Sequence, residues 1–274
     1  MRGITMFVFM SGLATLAFGA ETVEKVSLRP TEGIRRAELF FAPTVPRPKA
    51  VLLLCPGYNG NGEGLIRQRE WQEFATKHQL GLAGLSFASD GELLQKGRGY
   101  YYPALGSGQL LLDGLRGKFG RDLPILLYGF SGGAHFTSRF AEWRPDRVLA
   151  WCAYSAAWWD EPASRRHAPP GLIVCGDEDP SRYGASLLFF KQGRGVGKPW
   201  LWLSLPKTGH QASPKLDAFV RDYFRAILSN SSGVWVDVDR EEIISTDQAL
   251  NQPSLSGWLP CRTIHEGWKA LHAP

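Results

Sequence analysis

Apolar residues fall along this chain in short unbroken runs, and between the runs they recur at helical spacing. Ala50-Val-Leu-Leu-Leu-Cys55 has no polar position and stops at Pro56-Gly57. Such a run suits a strand buried on both faces of a parallel sheet, where apolar–polar alternation disappears. Further strands are predicted at 81–87, 123–128, 148–155, 172–175 and 200–205, and two shorter ones at 23–28 and 35–42. Trp71, Phe74, Ala75 and His78 share a helical face, as do Leu105, Leu112, Leu115 and Phe119 behind Pro103. The clearest stripe is Leu216, Phe219, Val220, Tyr223, Phe224 and Ile227, with Ser213 placed to cap it and Pro214 at the first helical position. This alternation predicts one α/β domain, doubly wound, around a mostly parallel eight-stranded sheet.

The two ends of the chain read differently. Arg2 precedes the apolar run Met6 to Phe18, and Gly19-Ala20 follows it. A basic start, a short apolar core and a small-residue exit predict a secretory signal peptide over 1–20. The protein is then secreted or periplasmic, with no stable membrane insertion once the signal is cleaved. From Ser229 the pattern loosens, and Trp235, Trp258, Pro260 and Trp268 predict a packed appendage rather than a second domain. The expected layout is 1–20 signal, 21–230 main domain and 231–274 appendage.

Composition changes this picture little. In 274 residues the formal net charge is +5, and no basic run is dense enough for nucleic acid; Arg35, Arg36, Arg67, Arg69, Arg165 and Arg166 read as solvated surface. Of the four cysteines, Cys55, Cys152 and Cys175 sit inside apolar runs and Cys261 in the tail, with no C-x-x-C spacing. Neither a zinc site nor a redox pair is suggested. The glycines of Gly57 to Gly64 lack the lysine of a phosphate-binding loop. No cofactor and no metal are expected.

In a sheet of this kind, reactive groups gather where strands end. Four places qualify. Gly129-Phe130-Ser131-Gly132-Gly133 joins a strand to a helix start and has the form of a nucleophile elbow, in which the residues two before and two after the serine must be small. Gly176-Asp177-Glu178-Asp179 follows the seventh strand, Gly209-His210 follows the eighth, and Pro56-Gly57-Tyr58 follows the third. A serine hydroxyl needs a base to take its proton and a carboxylate to orient that base. Of six histidines, His210 alone lies just past a strand with a small residue before it. His135 falls one helical turn beyond Ser131 and reads as structural. Asp177 and Asp179 are both within reach of the histidine by chain length.

With these residues in place, the stretch from about Ala50 to Phe224 resembles the α/β-hydrolase superfamily, in the arm of dienelactone hydrolases, small esterases and prolyl-oligopeptidase-like enzymes. The resemblance favours Asp179 as the acid, since the family's acid stands third after the glycine closing the seventh strand. It assigns the oxyanion hole to the amides of Tyr58 and Gly132, and leaves Asn59 to Gly62 as a flexible turn. Departures are visible: dienelactone hydrolases carry cysteine where Ser131 stands, and cutinase-like enzymes usually carry His and Met where Phe130 and Gly132 stand. About fifteen residues separate the sixth and seventh strands, too few for a large cap domain. Trp158 and Trp159 in that segment, with Phe130, are the candidate pocket walls.

The expected protein is an exported serine hydrolase. Ser131, His210 and Asp179 would cleave carboxylic esters of small or polymeric substrates through an acyl-enzyme. A peptidase or amidase would use the same three residues, and a non-catalytic polymer-binding protein would have no need of them.

Overall fold

The computed structural model describes residues 22–164 and 167–272. The signal segment expected at 1–20, like Arg165 and Arg166, lies outside the described residues.

Eight strands form the main sheet: β1 (Glu24–Ser27), β2 (Arg36–Ala42), β3 (Ala50–Cys55), β4 (Leu80–Ala88), β5 (Ile125–Phe130), β6 (Val148–Tyr154), β7 (Gly171–Gly176) and β8 (Trp200–Leu205). Their spatial order is β1-β2-β4-β3-β5-β6-β7-β8. β1 and β2 are antiparallel to their neighbours, and every other pairing is parallel. All residues of β3, β4 and β7 are buried, which is why those stretches carry no polar alternation.

The helices are α1 (Glu63–Ile66), α2 (Arg69–Lys77), α3 (Gly91–Gln95), α4 (Ser107–Phe119), α5 (Gly132–Trp143), α6 (Pro180–Gly195), α7 (Pro214–Leu228), α8 (Thr246–Asn251) and α9 (His265–Ala270). In α7 the Ser213 side chain accepts from the Leu216 amide, the hydrogen bond an N-cap serine makes. One helix start is corrected. Leu105 lies outside α4 and is exposed, because Gly106 at φ +122° breaks the backbone before the helix begins.

Between β6 and β7 the described residues carry no helix or strand, and the sheet has no large cap over it. The tail folds into a three-stranded antiparallel sheet of β9 (Val234–Asp237), β10 (Glu242–Ile244) and β11 (Ser256–Leu259), ordered β10-β9-β11. It is held to the main domain by buried polar ties. Trp268 Nε1 donates to the Trp202 carbonyl at 3.1 Å, and Arg194 Nε donates to the Ser256 carbonyl at 2.6 Å.

Candidate active site

Ser131 caps α5 at the end of β5, with φ +52° and ψ −112°. A non-glycine residue in that region is strained and persists only where its surroundings hold it. The Ser131 amide donates to the Tyr154 carbonyl on β6 at 2.8 Å, and the flanking glycines remove every side chain that would block the turn. A Cβ on Gly129 would lie 2.3 Å from the Gly133 carbonyl oxygen, and one on Gly133 would lie 2.1 Å from that of Cys55. The elbow therefore needs glycine at both places.

Two loops bring the partners. Asp179 follows β7 and precedes Pro180 of α6, while His210 follows β8 through Pro206-Lys207-Thr208-Gly209. The loops are tied together: the Glu178 amide donates to the Thr208 carbonyl at 3.0 Å, and the Thr208 amide donates to Asp177 Oδ1 at 3.3 Å. Gly176 lets them meet, since a Cβ there would fall 2.0 Å from the Thr208 carbonyl oxygen.

As a result, His210 Nε2 stands 2.9 Å from Ser131 Oγ, and His210 Nδ1 stands 2.9 Å from Asp179 Oδ2. A carboxylate only accepts, so Nδ1–H donates to Asp179 and Nε2 accepts the serine proton. Asp177 binds the neighbouring loop amide and Asp179 binds the imidazole. Phe130, expected among the pocket walls, instead stacks on the His210 ring, with centroids 4.9 Å apart.

Asp179 is almost fully buried, and burial alone would raise its pKa. Hydrogen bonds from Arg182 and His210 outweigh that and hold the carboxyl below its ordinary value. Arg182 Nη1 donates to Asp179 Oδ1 at 2.9 Å, leaving Oδ2 to the histidine. Arg182 went unnoticed in the sequence; its position three residues after the acid, in the first turn of a helix, is the only signal it offered. Arg182→Ala should lower kcat about tenfold with little change in KM, because the acid loses the donor that fixes its rotamer. An unchanged kcat would show that Asp179 is held without it.

The oxyanion geometry comes from β3 and α5. A Cβ on Gly132 would lie 2.6 Å from the Tyr58 amide nitrogen, so the two backbones pass closely beside Ser131. Gly132 is the first residue of α5, so its amide has no acceptor within the helix. The stretch after Tyr58 is more tightly built than the flexible turn expected. Asn59 Nδ2 donates to the Ser89 carbonyl and Asn59 Oδ1 accepts the Ser89 amide, each at 3.0 Å. Arg36 Nη2 donates to the carbonyls of Asn59 and Gly60.

Beside Ser131 opens a cleft of about 360 Å³, walled by Tyr58, Leu94, Tyr101, His135 and Trp158. Trp158 stands on its wall. The Trp159 ring stacks on Phe189 with centroids 4.2 Å apart and lines the adjoining hollow.

His135 packs against the rings of both Tyr101 and Trp158, which also touch each other, and its Nε2 accepts the Ala157 amide at 3.2 Å. Burial, reinforced by the charge of Arg139, pushes its pKa down to about 3. With a folded value below the unfolded one near 6.5, the unfolded chain binds the extra proton first. Stability is therefore whole above about pH 6.5 and falls as pH drops toward 3, by about 1.4 kcal/mol per pH unit through this group. His135→Gln should flatten the fall in Tm between pH 7 and 4. Parallel curves for the two proteins would refute this assignment.

No protein-family model matches the chain, and no curated protein matches it. Solved structures do match it in fold. An S-formylglutathione hydrolase from Agrobacterium tumefaciens aligns at TM-score 0.56 and 16% identity, over 75% of this chain and 94% of that one. A hyperthermophilic esterase from the archaeon Pyrobaculum calidifontis aligns at TM-score 0.54 and 14% identity, over 76% and 85%. A poly(3-hydroxybutyrate) depolymerase from Bordetella parapertussis aligns at TM-score 0.50 and 14% identity, over 85% and 94%. The fold is that of the α/β-hydrolases.

Proposed function

We propose that this protein is an exported serine hydrolase that cleaves carboxylic esters through an acyl-enzyme. The observation that carries the reading is the unbroken hydrogen-bonded chain Ser131–His210–Asp179, with 2.9 Å at each link. Ser131 Oγ attacks the ester carbonyl while His210 Nε2 takes its proton. Asp179 keeps the proton on Nδ1 and stabilises the imidazolium that forms. The amides of Tyr58 and Gly132, with the N-terminus of α5 behind the second, receive the charge on the tetrahedral oxygen. His210 then protonates the leaving alcohol, and water repeats the steps in reverse to free the acid.

The names of the structural neighbours, an esterase, an S-formylglutathione hydrolase and a poly(3-hydroxybutyrate) depolymerase, agree with acyl transfer to water. Two measurements test the proposal. Protein recovered from outside the cytoplasm is incubated with a fluorophosphonate and its intact and peptide masses are read. A single phosphonyl adduct on Ser131, in a chain lacking 1–20, is expected. Hydrolysis of 4-nitrophenyl acetate should stop as the adduct forms. A folded protein that takes no label and hydrolyses no ester would overturn the assignment, and faster cleavage of nitroanilides than of nitrophenyl esters would make it an amidase.

A further inference from the structure

The cleft at Ser131 does not end at Trp158. Ala157 and Trp158 also wall a second hollow of about 580 Å³, completed by Trp159, Leu188 and Phe189. Phe189 and Glu161 are shared in turn with a third hollow of about 410 Å³, lined by Tyr102, Pro103, Leu105 and Trp143. Lining residues of the second and third hollows are also in contact, since Trp158 Nε1 donates to Tyr102 Oη at 3.4 Å. Shared lining residues place the three hollows side by side.

The distribution of exposed apolar side chains points the same way. Among the described residues six large ones are exposed, and four of them, Tyr58, Leu105, Trp158 and Leu188, stand on the walls of these hollows. Large apolar surface left in water and gathered at one place marks a binding surface. The charges along the hollows are mostly paired internally. Arg139 grips Asp160 with two bonds of 2.7 and 2.8 Å, Lys198 Nζ donates to Glu142 at 2.5 Å, and Arg182 is held by Asp179. Glu161 stands exposed at the rim. Such a surface has little to offer an ionic ligand and much to offer hydrocarbon.

We propose that the three hollows form one trough that binds an extended apolar chain of the substrate, leading away from the ester carbonyl at Ser131. The occupant is the substrate itself, because the hollows adjoin the cleft at Ser131, through Ala157 and Trp158, where the carbonyl must sit. This rests on the serine-hydrolase reading and narrows it to esters with a long or repeating apolar chain. That chain belongs either to the acid or to the alcohol, and the two are separable by experiment.

The test measures kcat/KM along two ladders kept below their solubility limits: 4-nitrophenyl esters from acetate to dodecanoate, and acetates of straight-chain alcohols of matching length. Each methylene that leaves water should raise kcat/KM by about two- to fourfold along one ladder, and that ladder identifies the part of the ester in the trough. Leu188→Glu puts a charge on the wall of the second hollow without touching the triad, and its exposed position keeps folding safe. The ratio of long-chain to acetate kcat/KM should fall at least about tenfold in this variant. Leu250→Glu makes the same change at an exposed leucine that walls none of the hollows, and should leave the ratio as it is. Flat ladders in the unmodified protein, or equal ratios in the two variants, would overturn the trough. Acetate hydrolysis lost in Ser131→Ala would stand in either case, whereas absence of any hydrolysis would count against the serine hydrolase itself.

Discussion

Ser131→Ala should give a folded protein whose hydrolysis of 4-nitrophenyl acetate is reduced about 10⁴-fold or more. The substitution removes one oxygen, whose recorded partner is His210 Nε2 at 2.9 Å. No buried contact depends on that hydroxyl, so Tm should move by no more than a few degrees. The strain at φ +52° is common to serine and alanine, since both carry a Cβ, and the elbow stays as it is. Backbone donors beside Tyr58 and Gly132 remain and account for a residual rate above that of water. A variant keeping more than a tenth of the parent activity would mean that the ester is cleaved elsewhere on the molecule.

The second large effect is on folding. Gly133→Ala would bring a methyl group 2.1 Å from the Cys55 carbonyl oxygen and 2.6 Å from that of Pro56. Both obstacles are backbone at the end of β3, the strand at the centre of the sheet, and neither can swing aside as a side chain would. Overpacking of that kind costs about 3 kcal/mol or more, a large part of an ordinary domain's stability. Tm should drop by about 6–12 °C, and activity should vanish because relief of the clash displaces the loop that carries the Tyr58 amide. Gly117→Ala is the matched control. It is exposed in α4 with nothing near its missing Cβ, so alanine should raise Tm slightly through helix propensity alone. Equal behaviour of the two variants would show that the approach at Gly133 is looser than its geometry.

The fold was legible wherever burial was two-sided. The runs that became β3, β4 and β7 have no polar face, and few other structures tolerate that over so short a length. α7 was equally plain because its stripe, cap and proline agree. α6 was not, for a physical reason: it buries Phe189 and Phe190 against the sheet but leaves Leu188 exposed on the trough, so its apolar residues trace no single stripe. The tail sheet was missed because strands of three and four residues leave no measurable period.

The site divides along similar lines. Ser131 and His210 could be picked out from their places after strands, because the backbone there demands small neighbours and sequence records small neighbours. Choosing Asp179 over Asp177 needed a family resemblance; one residue of offset decides which carboxylate faces the imidazole, and nothing local marks it. Arg182 acts across a turn, Phe130 stacks on His210, and Trp159 lines the hollow beside the Ser131 cleft rather than the cleft itself. Each depends on which way a side chain leaves the backbone, and residue spacing does not record that.

The four cysteines are all buried with free thiols. Cys55 lies directly beneath the elbow, where burial pushes its pKa up to about 12 and leaves it an unreactive thiol at physiological pH. Cys55, Cys152 and Cys175 lie in strands of the main sheet, so an oxidant or alkylating reagent in the surrounding medium meets none of these three while the sheet is closed. An oxidising environment therefore imposes no pairing on these three in the native molecule, and they become chemically visible only when the strands part. The protein carries its own record of how often it opens.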